Sequence, residues 1–157
     1  MSAHAQHGSY AGQQQREVKA LSEEEVAQYL AGAGMGYAKA AELNRFPGPM
    51  HVLELADELV LTPEQHSATQ RLMDSHKAEA RKIGAKLVAA ERRLDDLFHS
   101  NAVEPAALAE AVHQAAALRG DYRLSHLETH RRMRALLSDE QVARYHELRG
   151  YSRQHKH

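Results

Sequence analysis

Residues 80–105 read ARKIGAKLVAAERRLDDLFHSNAVEP. Apolar or small residues fall at Ala80, Ile83, Leu87, Ala90, Leu94 and Leu97. These steps of three and four mark one buried face of an α-helix. The run HSNAVEP then breaks the pattern, and Pro105 suits a first helical position, where its missing N–H removes no bond. Beyond it, Leu108, Ala111, Ala115, Leu118, Tyr122, Met133 and Leu136 form a second stripe. Two long amphipathic helices joined by a short turn predict an antiparallel hairpin.

Working outward, three stretches resemble one another: LSEEEVAQYL from Leu21, LTPEQHSATQRL from Leu61 and LSDEQVARYHEL from Leu137. Each places Ser or Thr three residues before Glu or Gln, the capping box that satisfies backbone donors at a helix start. Pro63 follows Thr62 at the first helical position. The first long helix should therefore run from about Thr62 to about Phe98. Upstream, NRFPGP (44–49) reads as a turn and MHVLELADEL (50–59) as a shorter amphipathic helix. AGAGMG (31–36) permits close helix packing or a sharp bend. As a phosphate loop it lacks both a preceding strand and a following Lys-Ser/Thr.

The expected fold is all-α: a long antiparallel helical hairpin with additional short N- and C-terminal helices, in a dimer. The expected organisation is a flexible polar segment over 1–20, one helical domain over 21–150 and a flexible tail over 151–157. Composition agrees, with only 4 Pro, 2 Phe and no Trp in 157 residues, and few β-branched residues. No apolar run is long enough to cross a bilayer. A net charge of −1 from 20 basic and 21 acidic side chains is not the electrostatic footprint of a nucleic-acid binder. Arg131, Arg132 and Arg134 read as a solvated helix face. The absence of cysteine excludes disulfides and thiolate metal sites and leaves the redox compartment unread. No complete signal peptide is expected from these residues, which lack an apolar h-region. AHAQ (3–6) has the small-x-small look of a cleavage site, as in a mature secreted protein or one with a truncated start, and a cytoplasmic protein could look the same.

Histidine is abundant, with 12 in the chain. His4, His7, His155 and His157 fall in the polar ends. The more informative run is HLETH (126–130), because histidines four apart share a helix face and can grip one metal ion. Glu128 lies roughly 200° around the helix from His126, so it cannot serve as the base of a metalloprotease in cis. A turn centred near residue 102 brings His76 level with 126–130. A second reversal near 62 brings His51 to the same height. His51, His126 and His130 are then candidate metal ligands, with Glu54, Glu58, His76 or Met133 available to complete the sphere. Such a set suits Zn, Cu, Ni or Co more than Ca or Mg. The alternative is a group of hydrogen-bonded interface histidines, and for His76, at the centre of its stripe, packing is the simpler account.

The paired LTPEQ (61–65) and LSDEQ (137–141) resemble the LTxxQ signature of the Spy/CpxP family. That family includes zinc-resistance-associated proteins and, more distantly, periplasmic cobalt–nickel sensors. GMGYAKAAELNRFPGPMHVLELADEL (34–59) resembles a subgroup described as chaperones or heavy-metal-resistance proteins. The resemblance implies a periplasmic, all-helical, usually dimeric protein. Such a protein either holds unfolded clients or binds a transition metal through helix-borne His, Glu and Met and signals to a membrane partner. The sequence departs from the sensors in two places. His51 is followed four later by Leu55 rather than His, and the last long helix carries His126, His130 and Met133 rather than His-x-x-x-Met.

The function expected first is a periplasmic transition-metal-binding protein of the heavy-metal or envelope stress response, acting in sensing or sequestration. The alternative is an ATP-independent chaperone for unfolded clients, with the histidines incidental. No enzyme is expected, since there is no nucleophile–base arrangement and no nucleotide motif. Expected partners are a second copy of the chain and a membrane-bound regulator or client proteins, with neither nucleic acid nor membrane insertion.

Overall fold

The computed structural model describes residues 8–101 and 103–152. His4, His7, His155 and His157 lie outside them. Among the described residues there are six α-helices and no strand: α1 (Glu23–Ala31), α2 (Lys39–Glu42), α3 (Pro49–Glu54), α4 (Pro63–His99), α5 (Pro105–Ala135) and α6 (Asp139–Leu148). No helix among them is long and apolar enough to cross a membrane.

The three repeated motifs start helices as their chemistry requires. Ser22 with Glu25, Thr62 with Gln65, and Ser138 with Gln141 each form a complete capping box. Pro63 and Pro105 open α4 and α5. The α4 stripe is buried at Ala80, Leu87 and Ala90, and the α5 stripe at Ala111, Ala115, Tyr122 and Met133. The two long helices pack along each other, with Arg119 donating to Glu91 at 2.9 Å. Further from their connection, His76 meets His126.

The short helix before α4 ends earlier than its periodicity suggests. Leu55 leaves helical geometry at φ −102°, ψ 19°, and the ladder tightens as Ala56 N–H donates to Leu53 O at 3.2 Å. The chain then reverses through a turn closed by Leu61 N–H on Ala56 O at 3.1 Å. Val60 takes the left-handed conformation there, at φ 52°. Glu58 is consequently an exposed turn residue rather than part of a helix flank.

Glycines set the closest helix approach. Gly32 ends α1 at φ 69°, and a Cβ on it would lie 3.0 Å from Ala80 Cβ. Gly84, in the middle of α4, lies against the end of α1, where a Cβ would sit 1.9 Å from Tyr29 O. The small-residue run 31–36 is therefore a packing and turning device. Packing also extends upstream of residue 21: Val18 is buried, and Lys19 N–H donates to Asp95 Oδ2 at 2.7 Å.

Two apolar clusters result. One gathers Val18, Leu21, Tyr29, Ala80, Leu87, Val88 and Tyr122. The other gathers Val52, Leu59, Met133, Leu137, Val142 and Tyr145, with Leu72 against them. Along α4, His76 falls between Leu72 of the second cluster and Ala80 of the first. Along α5, His126 and His130 fall between Tyr122 and Met133. The histidines thus occupy the junction where the two cores meet on the long helices.

Candidate metal centre

At that junction lies a cavity of about 550 Å³, lined in part by His51, His76, His126 and His130. His126 is 5% exposed and packs against Tyr122, ring centroids 4.7 Å apart. Its Nδ1 lies 3.0 Å from His76 Nε2, and His76 Nδ1 lies 3.2 Å from Ser125 Oγ. Burial, with neighbouring imidazoles adding to it, lowers both pKa values to about 4. Both rings are therefore neutral at pH 7 and retain a lone pair.

The hydrogen bonds restrict where those lone pairs sit. His130 Nδ1 is 2.7 Å from Phe46 O, and a carbonyl only accepts, so His130 carries its proton on Nδ1. In the neutral ring Nε2 is then the bare nitrogen. This second-shell arrangement, a carbonyl fixing the tautomer of a histidine, is also how proteins prepare imidazole ligands. His126 reaches the same state when its Nδ1–H donates to His76 and His76 in turn donates to Ser125. In either tautomer His126 Nε2 is buried without a hydrogen-bond partner.

Such an orphan costs about 1–3 kcal/mol. Among the described residues, three side-chain atoms are stranded in this way: His126 Nε2, Glu42 Oε2 and His146 Nδ1. Two of the three belong to residues lining this cavity, which marks it as the place where polar groups lack a partner. Glu42 Oε1 accepts from Tyr145 and Tyr151, while Oε2 stands 3.7 Å from His130 Nδ1. Gly48 closes over His130 so tightly that a Cβ would lie 2.9 Å from its Nε2.

The donors share the cavity without being drawn onto one point. Among the described residues no three His, Cys, Asp or Glu side chains are grouped closely enough to hold one ion. His51 lines the cavity from α3, with its Nδ1 2.9 Å from Glu54 Oε2.

The repeated motif ties the α3–α4 and α5–α6 connections together below this site. Gln65 Nε2 donates to Leu136 O at 2.9 Å and to Gln141 Oε1 at 2.7 Å. Gln141 Nε2 donates to Leu59 O at 3.2 Å and to Gln65 Oε1 at 2.9 Å. Each Oε1 also accepts the N–H of its own cap, Thr62 at 3.0 Å and Ser138 at 2.9 Å. The glutamine is thus both cap and clasp, a double role that a carboxylate, having no donor, could not fill. A family model described as "LTXXQ motif family protein" matches residues 49–149. The chain belongs to the LTXXQ motif family. No curated protein and no solved structure matches it.

Within this LTXXQ domain the sequence-derived candidates separate. His51, His76, His126 and His130 line one cavity. Glu54 is exposed and held by His51, and Glu58 is exposed in the turn; neither lines the cavity. Met133 is fully buried in the second apolar cluster, as a packing residue. Glu128 pairs with Arg131 and Arg132 and lines a separate groove between α4 and α5. Its hydrogen bond from Arg131 holds its pKa down to about 2. Sequence reasoning missed Glu42, Met35, Met50 and Met73, all of which line the cavity. They sit on short or irregular segments, or on the flank of α4, where no stripe or pivot singles them out.

Proposed function

We propose that this LTXXQ protein binds a transition-metal ion in the cavity at the junction of its two cores. His126 and His130 are the principal ligands, and His51 joins them from α3. The carrying observation is His126 Nε2, buried without a partner in a cavity that three other histidines line. His76 acts one step behind, holding the His126 ring through Nδ1 and fixing its tautomer. Zn, Cu, Ni and Co are the ions such donors suit. Side-chain rotation within the cavity is needed to bring the donors onto one ion. The test is calorimetric titration of the four ions into wild type and the His126→Ala/His130→Ala variant. Wild type should bind one ion and the variant none; equal binding by both ends the proposal.

The setting we read for this activity is the periplasm, in metal sensing or sequestration within the envelope stress response, because the family is associated with periplasmic stress-response proteins. We read the α4–α5 pair as an antiparallel hairpin. Support comes from Glu91 meeting Arg119 near the connection and His76 meeting His126 far from it. A second copy of the chain and a membrane-bound regulator are the partners this reading calls for, and it makes the protein a binder rather than a catalyst.

Client binding is the second reading. It is favoured by the exposure of Phe98 at 60%, Val112 at 45% and Leu124 at 62% along the two long helices. Suppression of aggregation of a denatured client, unchanged by chelator and by the histidine substitutions, supports it. Failure to suppress aggregation counts against it.

A further inference from the structure

The histidines are not the only donors around the cavity. Met35, Met50 and Met73 line it as well, three of the 5 methionines in the chain. They arrive from three different segments: the loop after α1, the first turn of α3, and α4. Core filling does not account for all of them, since Met50 is 49% exposed. Met35 packs against the first apolar cluster and reaches the cavity from a left-handed turn position at φ 49°.

A thioether is a neutral, soft donor, and neutral imidazole is a borderline one. Together they favour a soft monovalent cation over hard or strongly charged ions. Zinc prefers four nitrogen, sulfur-anion or oxygen ligands in a closed tetrahedron. A site of low coordination number completed by sulfur needs fewer imidazoles on one ion, and three thioethers line this cavity beside the histidines. Resting on the metal-binding reading above, we infer that the cavity is selective for monovalent copper, held by His126 and His130 together with methionine thioethers.

The test uses the full chain, stripped of metal, under anaerobic reducing conditions. Copper(I) affinity is measured by competition with a chromogenic chelator, and zinc affinity is measured in parallel. The Met35→Leu/Met50→Leu/Met73→Leu variant conserves volume and removes only the sulfur. It should lose roughly tenfold or more in copper(I) affinity, as loss of metal-supporting groups does, with zinc binding and helix content unchanged. X-ray absorption at the copper edge of wild type should show sulfur as well as nitrogen neighbours. Should the triple variant fold poorly, Met50→Leu alone, at the half-exposed position, is read by the same absorption spectrum and should show fewer sulfur neighbours. Unchanged copper(I) affinity in a folded triple variant, or a copper shell of nitrogen and oxygen only, overturns this inference. The metal reading survives that outcome if His126→Ala/His130→Ala still abolishes binding. No binding of copper(I) or of the divalent ions by wild type overturns both.

Discussion

Replacing Gln65 by Ala tests what the motif does for the fold. The substitution removes the cap on Thr62 N–H, the bond to Leu136 O and the reciprocal amide bridge to Gln141. Loss of a cap costs about 1 kcal/mol, and each half-buried neutral hydrogen bond contributes about 1 kcal/mol net. Gln65→Ala and Gln141→Ala should therefore each destabilise by about 3 kcal/mol. The double variant loses the shared bridge only once, so it should fall short of additivity by about 1–2 kcal/mol. Gln65→Glu keeps the capping acceptor and loses both donors, which isolates the clasp from the cap. The assay is urea unfolding of metal-free protein followed by circular dichroism, with the slope checked for constancy. Single-variant costs below about 0.5 kcal/mol, within the range of ordinary surface substitutions, or strict additivity, would refute the clasp.

Three further predictions follow from local geometry. Gly84→Ala forces a Cβ to within 1.9 Å of Tyr29 O, so α1 must move off α4. A thermal or urea midpoint should report a loss of about 2–3 kcal/mol, and a neutral result would mean that the approach is not tight. Val60→Gly relieves a β-branched residue at φ 52° in a turn position that favours glycine. Net of glycine's entropy it should stabilise by up to about 1 kcal/mol, where destabilisation would show the strain to be absent. In acid, the unfolded chain takes up protons at His126 near its ordinary value of 6.5, while the folded chain holds out to about 4. Because the unfolded state binds more protons, the stability of metal-free protein is complete above pH 6.5 and is lost as pH falls towards 4. For His126, at 5% exposure, the loss is about 3 kcal/mol at most. His76 is half-buried and shares one hydrogen bond with it, so it adds less than a second full increment. Titration of the imidazole resonances by NMR checks this, and a His126 pKa near 6.5 would contradict it.

Periodicity carried most of the fold. The steps of three and four from Ala80 to Leu97, the three capping boxes and the two prolines located α4, α5 and the start of α6 to within a residue or two. They could do so because each is a local rule about one helix. The same arithmetic placed His76 level with His126, and it placed His51 near them although α3 stops at Glu54. The break at Leu55 was not legible, since LELADEL (53–59) contains neither glycine nor proline and the chain bends there to return to Thr62. Glu54, Glu58 and Met133 were proposed on helix-face arguments that ignore what covers each face: solvent for the first two, a packed core for the third. Glu42 and the three methionines reach the cavity from the loop after α1, the short helices α2 and α3 and the flank of α4, and no sequence period reports tertiary placement of that kind. The glutamine clasp joins residues 76 apart. Its only trace in the sequence is the recurrence of the motif itself.

The most direct test of metal binding at the core junction is a crystal of the full chain equilibrated with copper, collected at the absorption edge. An anomalous peak is expected inside the cavity, within bonding distance of the His126 and His130 imidazoles. A protein that takes up metal only on surface or terminal histidines, leaving this cavity without a peak, would contradict it.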